Sequence, residues 1–438
     1  MSYRISKYDL DKLSRHGEIF PGFAFKSERF TDDSSDVALV KGENVQQGFV
    51  DWGASKFWRA ADAESFKKYE LHAGDIVLAM DRPWVTAGLK WAYIKEHDPR
   101  SLLVQRVSRL RAKDGLDQTY LRCLISSRYF SDYIKPIVTG VNVPHISGKQ
   151  IGDFKIPLPT LPIQQKIAAI ISTYDELIES NKRRISILET MAEEIYREWF
   201  VRLRFPGHKK VRLVKGVPQG WKYVKLENAF KYTGGGTPSK EIDRYWNGGD
   251  VNWFTPSDIT GADGLFLEKS CEQCTEEGFN NSSAKMFPAY SVMLTSRATI
   301  GAIGINLTPA CTNQGFITCI PNTQYPLPYL YYWIKLAKPA FDLLAIGATF
   351  AELTKGTFKR IEILTPPEAL VTEFARIEAP LFKAIENYWR ANRNLIEVRD
   401  KLLPRLITGK LSIEHLDVQF PPCMAKGLDA KPNIAANA

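Results

Sequence analysis

The sequence predicts an α+β fold in which one arrangement, a globular segment followed by a long helix, occurs twice. Residues 146–159 and 353–366 match at an offset of 207 residues, with apolar side chains at equivalent positions and a proline near the end of each segment. Such self-similarity indicates a duplicated structural unit. Each matched segment precedes a long run in which apolar residues recur at spacings of three and four, which is typical of a helix that packs along one face.

The segments that precede the two helices, residues 1–156 and 217–364, have the pattern of small α/β globules. Short apolar runs predict strands at residues 37–40, 75–80, 89–94, 102–110, 251–254, 291–295 and 316–320. Clusters of glycine, proline and asparagine punctuate these runs and indicate turns. Helical patterns near residues 118–131 and 328–344 complete the globules.

A seam of heptad spacing runs through the first long helix, which we place in residues 157–204. Prolines before the seam suit a helix entrance. Asn181, in the middle of the seam, is either a device that fixes the register of a partner helix or an ordinary exposed asparagine. The seam positions hold Ile167, Ile171, Tyr174, Ile178, Asn181, Ile185, Leu188, Ala192, Ile195 and Trp199.

The second long helix is expected in residues 365–412. Pro380, inside its pattern, predicts either a kink or a later start of the helix. A basic linker at residues 205–216 joins the two copies, and residues 413–438 form a C-terminal tail. The predicted seam holds Phe374, Ile377, Leu381, Ala384, Tyr388, Ala391, Leu395, Val398 and Leu402.

The two seams must be covered, and their comparable lengths predict that the helices pack on each other. An antiparallel pair would relate the halves by an approximate two-fold axis. A helix of about 40 residues spans roughly 60 Å. That length could hold two binding modules about one DNA turn (~34 Å) apart, although two globules on such a rod could equally grip a protein.

Composition excludes several classes of protein. The chain has 438 residues, is 44% hydrophobic and has a net charge of +9, which predicts a packed globular protein and permits nucleic acid as a partner without demanding it. No apolar run reaches the roughly 18 residues of a membrane-spanning helix, and the N-terminus has no signal-peptide core. Six cysteines are too few for a disulfide framework. We therefore expect a soluble, cytoplasmic protein with reduced thiols.

Several stretches of the sequence resemble the specificity (S) subunits of type I restriction–modification systems. The stretch 161–178, which is followed by Trp199-Phe200, is similar to the central conserved helix of that family. The stretch 395–411, with Arg399-Asp400-Lys401-Leu402-Leu403-Pro404 inside it, is similar to the distal conserved helix. Three further stretches resemble parts of a target-recognition domain: Gly22–Ser27, Gly234–Ser239 and Thr312–Phe316.

The resemblance implies two globular α/β target-recognition domains, residues 1–156 and 217–364, joined by two long antiparallel coiled-coil helices with a pseudo-two-fold internal repeat. In such subunits each domain reads one half of a split, asymmetric sequence in double-stranded DNA, and the coiled coil sets the spacer. Two modification subunits dock on this scaffold and methylate adenine N6 with S-adenosylmethionine. Two restriction subunits can join to form an ATP-dependent nuclease that uses Mg²⁺.

The resemblance also implies that this chain carries no catalytic residue and no cofactor, and the motifs agree with that expectation. The sequence contains neither a phosphate-binding loop nor the Asn-Pro-Pro-aromatic run of adenine methyltransferases. Cys271 and Cys274 have the spacing of half a zinc site, but ordinary thiols are the simpler interpretation, so we predict no metal. The six histidines form no metal-binding spacing.

Candidate DNA-reading residues are polar or basic and lie in loops at the ends of predicted strands. Arginines there could bond guanine through two hydrogen bonds or form ordinary surface ion pairs. The candidates that follow apolar strand-like runs are Arg82, Trp84, Arg297 and Thr299. The candidates in the repeated loops, which could instead merely position the helices, are Asn142, His145 and Thr349, with Glu352 aligned to His145.

A further set of candidates would contact phosphate groups rather than bases. Exposed amides beside the glycine run could bind a phosphate, or this run could be a plain turn. The residues of this run are Thr237, Ser239 and Lys240. The lysines expected to contact phosphates are Lys41, Lys149 and Lys355.

Two alternatives remain beside the DNA-specificity interpretation. One is a protein-binding scaffold, which predicts no salt-dependent affinity for DNA. The other is a self-contained DNA methyltransferase or nuclease, which the missing catalytic motifs disfavour.

Overall fold

The computed structural model describes residues 6–85, 88–137, 144–297, 299–345, 351–421 and 424. The chain divides into two compact units: unit 1 comprises Met1–Glu179 and Arg393–Ala438, and unit 2 comprises Ser180–Asn392. Each long helix contributes one segment to each unit.

Unit 1 contains two four-stranded sheets in its described part, beside the two-stranded pairs β1-β12 and β7-β8. One sheet has the order β2-β11-β6-β9 and is antiparallel, and the other has the order β4-β3-β10-β5, in which β3 and β10 are parallel. The strands are β1 (Leu10–Lys12), β2 (Gly17–Pro21), β3 (Val37–Val40), β4 (Phe57–Trp58), β5 (Glu70–Leu71), β6 (Ile76–Ala79), β7 (Trp84–Val85), β8 (Gly88–Leu89), β9 (Trp91–Tyr93), β10 (Ser101–Leu103), β11 (Val107–Ala112) and β12 (Lys155–Pro157). The helices are α1 (Leu13–His16), α2 (Ala60–Ala63), α3 (Gln118–Ser126), α4 (Arg128–Ile134), α5 (Gly148–Gly152) and α6 (Leu161–Tyr196), which continues into unit 2.

Unit 2 repeats these strand pairings. Its main sheet has the order β16-β23-β20-β21-β18, and a smaller sheet, β19-β17-β22, contains the parallel pair β17 and β22. The strands are β13 (Leu213–Val214), β14 (Val217–Pro218), β15 (Lys222–Lys225), β16 (Lys231–Gly234), β17 (Val251–Phe254), β18 (Phe266–Leu267), β19 (Gln273–Cys274), β20 (Val292–Thr295), β21 (Ile303–Asn306), β22 (Cys311–Thr312), β23 (Phe316–Ile320) and β24 (Glu362–Thr365). The helices are α7 (Leu226–Ala229), α8 (Pro256–Thr260), α9 (Glu276–Asn280), α10 (Leu327–Leu336), α11 (Lys338–Leu344), α12 (Lys355–Phe358) and α13 (Glu368–Ile407).

The common pattern of the two units lies in their sheets. In unit 1, β11 lies between β2 and β6, and β1 pairs with β12. In unit 2, β23 lies between β16 and β20, and β15 pairs with β24. The mixed helix and strand content therefore confirms the α+β class predicted from the sequence.

Two strand predictions are wrong, because each run is divided between two strands. The run 89–94 contributes to β8 and to β9, which belong to different sheets. The run 102–110 was expected to be a single strand, but it forms the end of β10 and the start of β11 with a turn between them. The Val107 amide donates to the Val104 carbonyl at 3.3 Å, and Arg106 has a left-handed φ of +69°. The apolar pattern gives no sign of this turn, because Val104 and Val107 lie on either side of it.

The first long helix buries the predicted seam within each unit. In unit 1, Ile167 and Ile171 of α6 share a core with Leu403 and Leu406 of α13. In unit 2, Tyr196 of α6 shares a core with the buried face of the earlier part of α13. All ten predicted seam positions of the first long helix are buried or half-buried.

After Phe374, the buried positions of the second long helix lie one residue later than the positions of the predicted seam. The buried positions include Glu378, Glu386 and Asn392, whereas the predicted Val398 is 47% exposed. Because these buried positions carry charged or amide side chains, the spacing of apolar residues indicates the neighbouring positions instead. The helix also runs unbroken from Glu368 through position 380, which excludes a later start.

Asn181 and Asn392 form a buried hydrogen bond within unit 2, from Asn181 Nδ2 to Asn392 Oδ1 at 2.9 Å. This contact supports the interpretation of Asn181 as a register device, because a buried amide pairs best with one partner position.

We expect Asn181→Leu to lower the free energy of unfolding by about 1–2 kcal/mol, because it removes one hydrogen bond from a buried amide. The double variant Asn181→Leu, Asn392→Leu should be more stable than either single variant, since two apolar side chains replace both amides. Urea unfolding of the full chain measures both effects. Additive losses in the double variant would contradict the pairing.

Candidate nucleic-acid interface

In unit 2, the glycine run that follows β16 lies against the turn between β22 and β23. A Cβ placed on Gly235 would lie 2.0 Å from the carbonyl oxygens of both Thr312 and Asn313. Backbone atoms cannot move aside as a flexible side chain can, so only glycine fits this position. Next to it, Thr237 Oγ1 donates to Gln314 Oε1 at 2.8 Å. The glycine run and the turn therefore form one continuous polar edge.

Helix α12 adds a lysine to the same edge. Thr354 caps the helix, because its Oγ1 accepts a hydrogen bond from the Thr357 amide at 3.1 Å. The cap fixes Lys355 as the first helical residue, where it is exposed. Its side chain lies over Gly234, at which a Cβ would come within 1.8 Å of Lys355 Nζ. A lysine beside exposed polar groups suits contact with a phosphate.

An arginine–glutamate ion pair lies just beyond the end of β20. Arg297 and Glu352 form an isolated antiparallel β-bridge, and Arg297 Nε lies 2.8 Å from Glu352 Oε1. The Ser296 amide donates to the Gly315 carbonyl at 2.8 Å, and the Ser296 carbonyl accepts from the Leu353 amide at 3.0 Å. These bonds join the strand end, the turn and the segment before α12.

Unit 1 has the same backbone arrangement at the end of β6. The Met80 amide donates to the Arg106 carbonyl at 2.8 Å, and the Met80 carbonyl accepts from the Ile146 amide at 2.8 Å. Asp81 and His145 form the corresponding β-bridge, with 2.5 Å between Oδ1 and Nδ1. Arg106 Nε lies 3.1 Å from Asp81 Oδ2. The two units thus present ionic groups at equivalent places.

Gly22 of unit 1 corresponds to Gly235 of unit 2. A Cβ on Gly22 would lie 2.1 Å from the Val104 carbonyl oxygen. The turns that these glycines contact each expose a glutamine, Gln105 in one unit and Gln314 in the other. The first half therefore has the same turn although it lacks the Thr-Asn-Gln-Gly sequence.

The family comparison agrees with this duplicated edge. A family profile described as the type I restriction modification DNA specificity domain matches residues 22–190 and again residues 218–387. The chain belongs to this family. Both matches extend from a domain start into a long helix, so the repeat in the sequence corresponds to two copies of the DNA specificity domain.

Curated relatives are specificity subunits. The MjaIX specificity subunit of Methanocaldococcus jannaschii is 26% identical over 313 residues, which cover 69% of this chain and 71% of the relative. The HindI specificity subunit of Haemophilus influenzae is 24% identical over 356 residues, which cover 67% of this chain and 77% of the relative. Family membership confirms the interpretation as a DNA-specificity component, which is a non-catalytic part of the restriction–modification complex.

A solved structure shows the same fold. The type I restriction–modification S subunit from M. genitalium superposes with a TM-score of 0.56 at 16% sequence identity, and the match covers 93% of this chain and 97% of that one.

Within the first specificity domain, the structure places two of the sequence candidates, Arg82 and His145, at the Asp81 cluster. Arg82 follows Asp81 with a left-handed φ of +44°, and its amide donates to the Pro144 carbonyl at 2.8 Å. Its side chain is exposed, and no described residue forms an ion pair with it. His145 is part of the cluster itself. Lys149 is exposed in α5, which Ser147 caps.

Two other candidates of the first specificity domain are half-buried. Lys41 Nζ pairs with Glu43 Oε2 at 3.0 Å. Trp84 lies in β7, and Lys135 Nζ lies 5.7 Å from the centre of its ring. Asn142, like Thr349 of the second domain, lies outside the described residues.

The second specificity domain brings Thr237, Arg297 and Lys355 to the polar edge, while Thr299 and Ser239 are exposed on either side. Lys240 is engaged elsewhere: its Nζ lies 2.8 Å from Glu272 Oε1 and 3.5 Å from the ring centre of Trp246. A lysine held in this way is less available to a phosphate than Lys355.

Sequence reasoning did not select four residues of these edges as candidates: Asp81, Gln105, Arg106 and Gln314. The signal that could have found them is the pair Gln105-Arg106 before Val107, which matches Gln314-Gly315 before Phe316 at an offset of 209 residues. That offset differs by two from the offset of the main repeat, because the connecting segments differ in length.

Among the residues that the structure describes, no group of three or more histidine, cysteine, aspartate or glutamate side chains is arranged to hold a metal ion. No helix in the same part of the chain is both long and apolar enough to span a membrane.

Proposed function

We propose that the chain reads a split, asymmetric sequence in double-stranded DNA, one half with each specificity domain. The recognition domains are residues 1–156 and 217–364. The observation that carries the proposal is the duplicated polar edge, in which a glycine-backed turn, a strand end and a short capped helix meet in each unit. Such an edge presents side chains of several chemistries close together, as base readout in the major groove requires.

We further propose that the helical segments 157–204 and 365–412 form an antiparallel coiled coil that sets the spacer and relates the halves by a pseudo-two-fold repeat. The linker is 205–216 and the tail is 413–438. Contacts within each unit support the direction of packing. In unit 1, Arg399 Nη1 lies 2.9 Å from Asp175 Oδ1, and in unit 2 the Tyr196 and Phe374 rings lie 5.9 Å apart.

The proposed partners are two modification subunits, which supply adenine-N6 methylation with S-adenosylmethionine, and two restriction subunits, which use ATP and Mg²⁺. The complex would act in the cytoplasm, and this chain would bind no cofactor. Exposed apolar side chains on the outer face of α6 support a docking role for the helices. Ile187 is 59% exposed and Met191, one turn later, is 50% exposed.

The test is co-purification with neighbouring gene products followed by methylation sequencing of host DNA. We expect one methylated split motif that disappears when this chain is deleted. An active modification complex without such a dependent motif would contradict the proposal. The purified chain should bind DNA with a strong salt dependence, whereas a protein-binding scaffold would not, and turnover by the isolated chain would favour the enzyme alternative.

Exchange of residues 217–364 for those of a relative should change one half of the methylated motif and leave the other half and the spacer unchanged, because each domain carries its own edge. Methylation sequencing measures the outcome. The matched control exchanges residues 1–156, which should alter the opposite half. A change in both halves after either exchange would contradict modular recognition.

A further inference from the structure

We propose that each specificity domain reads a guanine with an arginine that forms an ion pair with a carboxylate at the polar edge: Arg297 with Glu352 in unit 2, and Arg106 with Asp81 in unit 1. This inference rests on the proposed function and names the residues that determine specificity. The arginines would contact the base, whereas Glu352 and Asp81 would be positioning residues.

In unit 2, the guanidinium group of Arg297 is accessible to DNA. Arg297 Nε is the atom nearest the carboxylate, at 2.8 Å from Glu352 Oε1. The Arg297 side chain is 52% exposed. The β-bridge between the two residues fixes both backbones. An exposed guanidinium group beside such an ion pair can offer two of its nitrogens to the N7 and O6 acceptors of guanine.

Unit 1 reaches the same arrangement from different chain positions. Arg106 Nε lies 3.1 Å from Asp81 Oδ2, and the Arg106 side chain is 68% exposed. The other oxygen of Asp81 is held by His145 Nδ1 at 2.5 Å, so the carboxylate is fixed from two sides. Asp81 and its bridge partner stand where unit 2 has the arginine and the glutamate. The bridge position that carries Arg297 in unit 2 carries Asp81 in unit 1, and the arginine of unit 1 comes instead from the turn before β11. Each unit nevertheless presents one arginine paired with one carboxylate.

This recurrence distinguishes the two pairs from ordinary surface ion pairs. An adventitious pair has no reason to recur at the same edge of two diverged domains when its arginine comes from a different chain position in each. A side chain fixed before binding also loses less conformational entropy when it contacts a base. Because the two arginines lie at different chain positions, their guanidinium groups would approach DNA differently, which suits two half-sites of different sequence.

The experiment uses the complete complex of this chain with its modification subunits. Methylation sequencing with the natural chain first defines the motif, and duplexes that carry this motif are the probe. Each guanine is replaced in turn by 7-deazaguanine, which lacks the N7 acceptor. We expect one guanine in each half-site at which this replacement weakens binding by about 5- to 100-fold.

Arg297→Ala should weaken binding by a similar factor and abolish the sensitivity to 7-deazaguanine in one half-site only, and Arg106→Ala should do so in the other. Arg297→Lys keeps the charge and should also lose this sensitivity, which keeps the test informative if the alanine variant fails to fold. Glu352→Gln should lower discrimination by about 2- to 5-fold, because the ion pair that orients Arg297 is lost. Its affinity for unrelated DNA should not fall, since a negative charge is removed.

The matched controls are exposed arginine–carboxylate pairs away from the edges. Arg244 Nε lies 2.9 Å from Glu277 Oε1 in unit 2, and Arg100 Nε lies 2.7 Å from Glu70 Oε1 in unit 1. Arg244→Ala and Arg100→Ala should leave the sensitivity unchanged. Undiminished sensitivity in folded Arg297 and Arg106 variants would overturn this inference while the proposed function stands. Failure of the proposed function would appear earlier, as the absence of any motif that depends on the chain.

Discussion

Replacement of Gly235 by alanine is expected to lower the free energy of unfolding of unit 2 by about 3 kcal/mol. The added Cβ would lie 2.0 Å from the carbonyl oxygens of Thr312 and Asn313, which are backbone atoms of a closely packed turn. The chain can relieve this clash only by moving the glycine run away from the turn. Urea unfolding followed by tryptophan fluorescence measures the loss, and DNA binding should weaken in parallel because the polar edge is displaced.

The chain offers close controls for this variant. Gly356→Ala, in α12, meets nothing nearer than Thr354 Oγ1 at 3.6 Å, and it should be neutral or slightly stabilising. In unit 1, Gly22→Ala repeats the clash, at 2.1 Å from the Val104 oxygen, and Gly148→Ala repeats the control at 3.7 Å. Equal stability of the Gly235 and Gly356 variants would show that the turn yields easily, which contradicts the packing described.

The sequence predicted the fold well wherever apolar residues follow a regular spacing. The strands near residues 37–40 and 316–320 occur with the predicted bounds, and both predicted long helices are present. The predictions failed where polar residues are buried or a turn is flanked by apolar residues. The second helical seam was displaced because Glu378, Glu386 and Asn392 occupy buried positions.

The candidate site was predicted less completely than the fold for a physical reason. Side chains that meet at an edge come from segments far apart in sequence, and only the folded backbone brings them together. Arg297 and Lys355 could be selected from strand ends and repeat positions. Asp81 could not, because its equivalent position in unit 2 carries an arginine, and Arg106 could not, because its turn lies inside a predicted strand.

Glu378 gives the second large expected effect, through the dependence of stability on pH. It is fully buried in α13, and neither of its carboxylate oxygens has a hydrogen-bond partner among the described residues. Burial raises the pKa of Glu378 from 4.5 to about 8. The folded chain therefore holds a proton that the unfolded chain releases near pH 4.5, so this residue makes stability fall as pH rises from about 4.5 to 8.

Glu378→Gln should consequently be more stable than the natural chain by roughly 3 kcal/mol at pH 7, since a tenfold change in proton affinity corresponds to about 1.4 kcal/mol. The difference between the two proteins should nearly vanish below pH 4.5. Urea unfolding at several pH values measures this difference directly, and other titrating groups cancel from it. A difference that does not change with pH would mean that Glu378 titrates normally in the folded chain.

Glu386, two turns later in the same helix, provides a control of opposite sign. Burial acts to raise its pKa, but hydrogen bonds from Arg390 at 2.9 Å and Lys383 at 3.3 Å outweigh burial and lower it. Ionised Glu386 therefore adds to the free energy of unfolding at pH values above its ordinary pKa. This contribution is lost as the pH falls through the lowered pKa of the folded chain. Glu386→Gln should destabilise the chain at pH 7 and lose that effect in acid. Two buried glutamates on one helix would thus respond oppositely to pH, because one is paired with cations and the other is not.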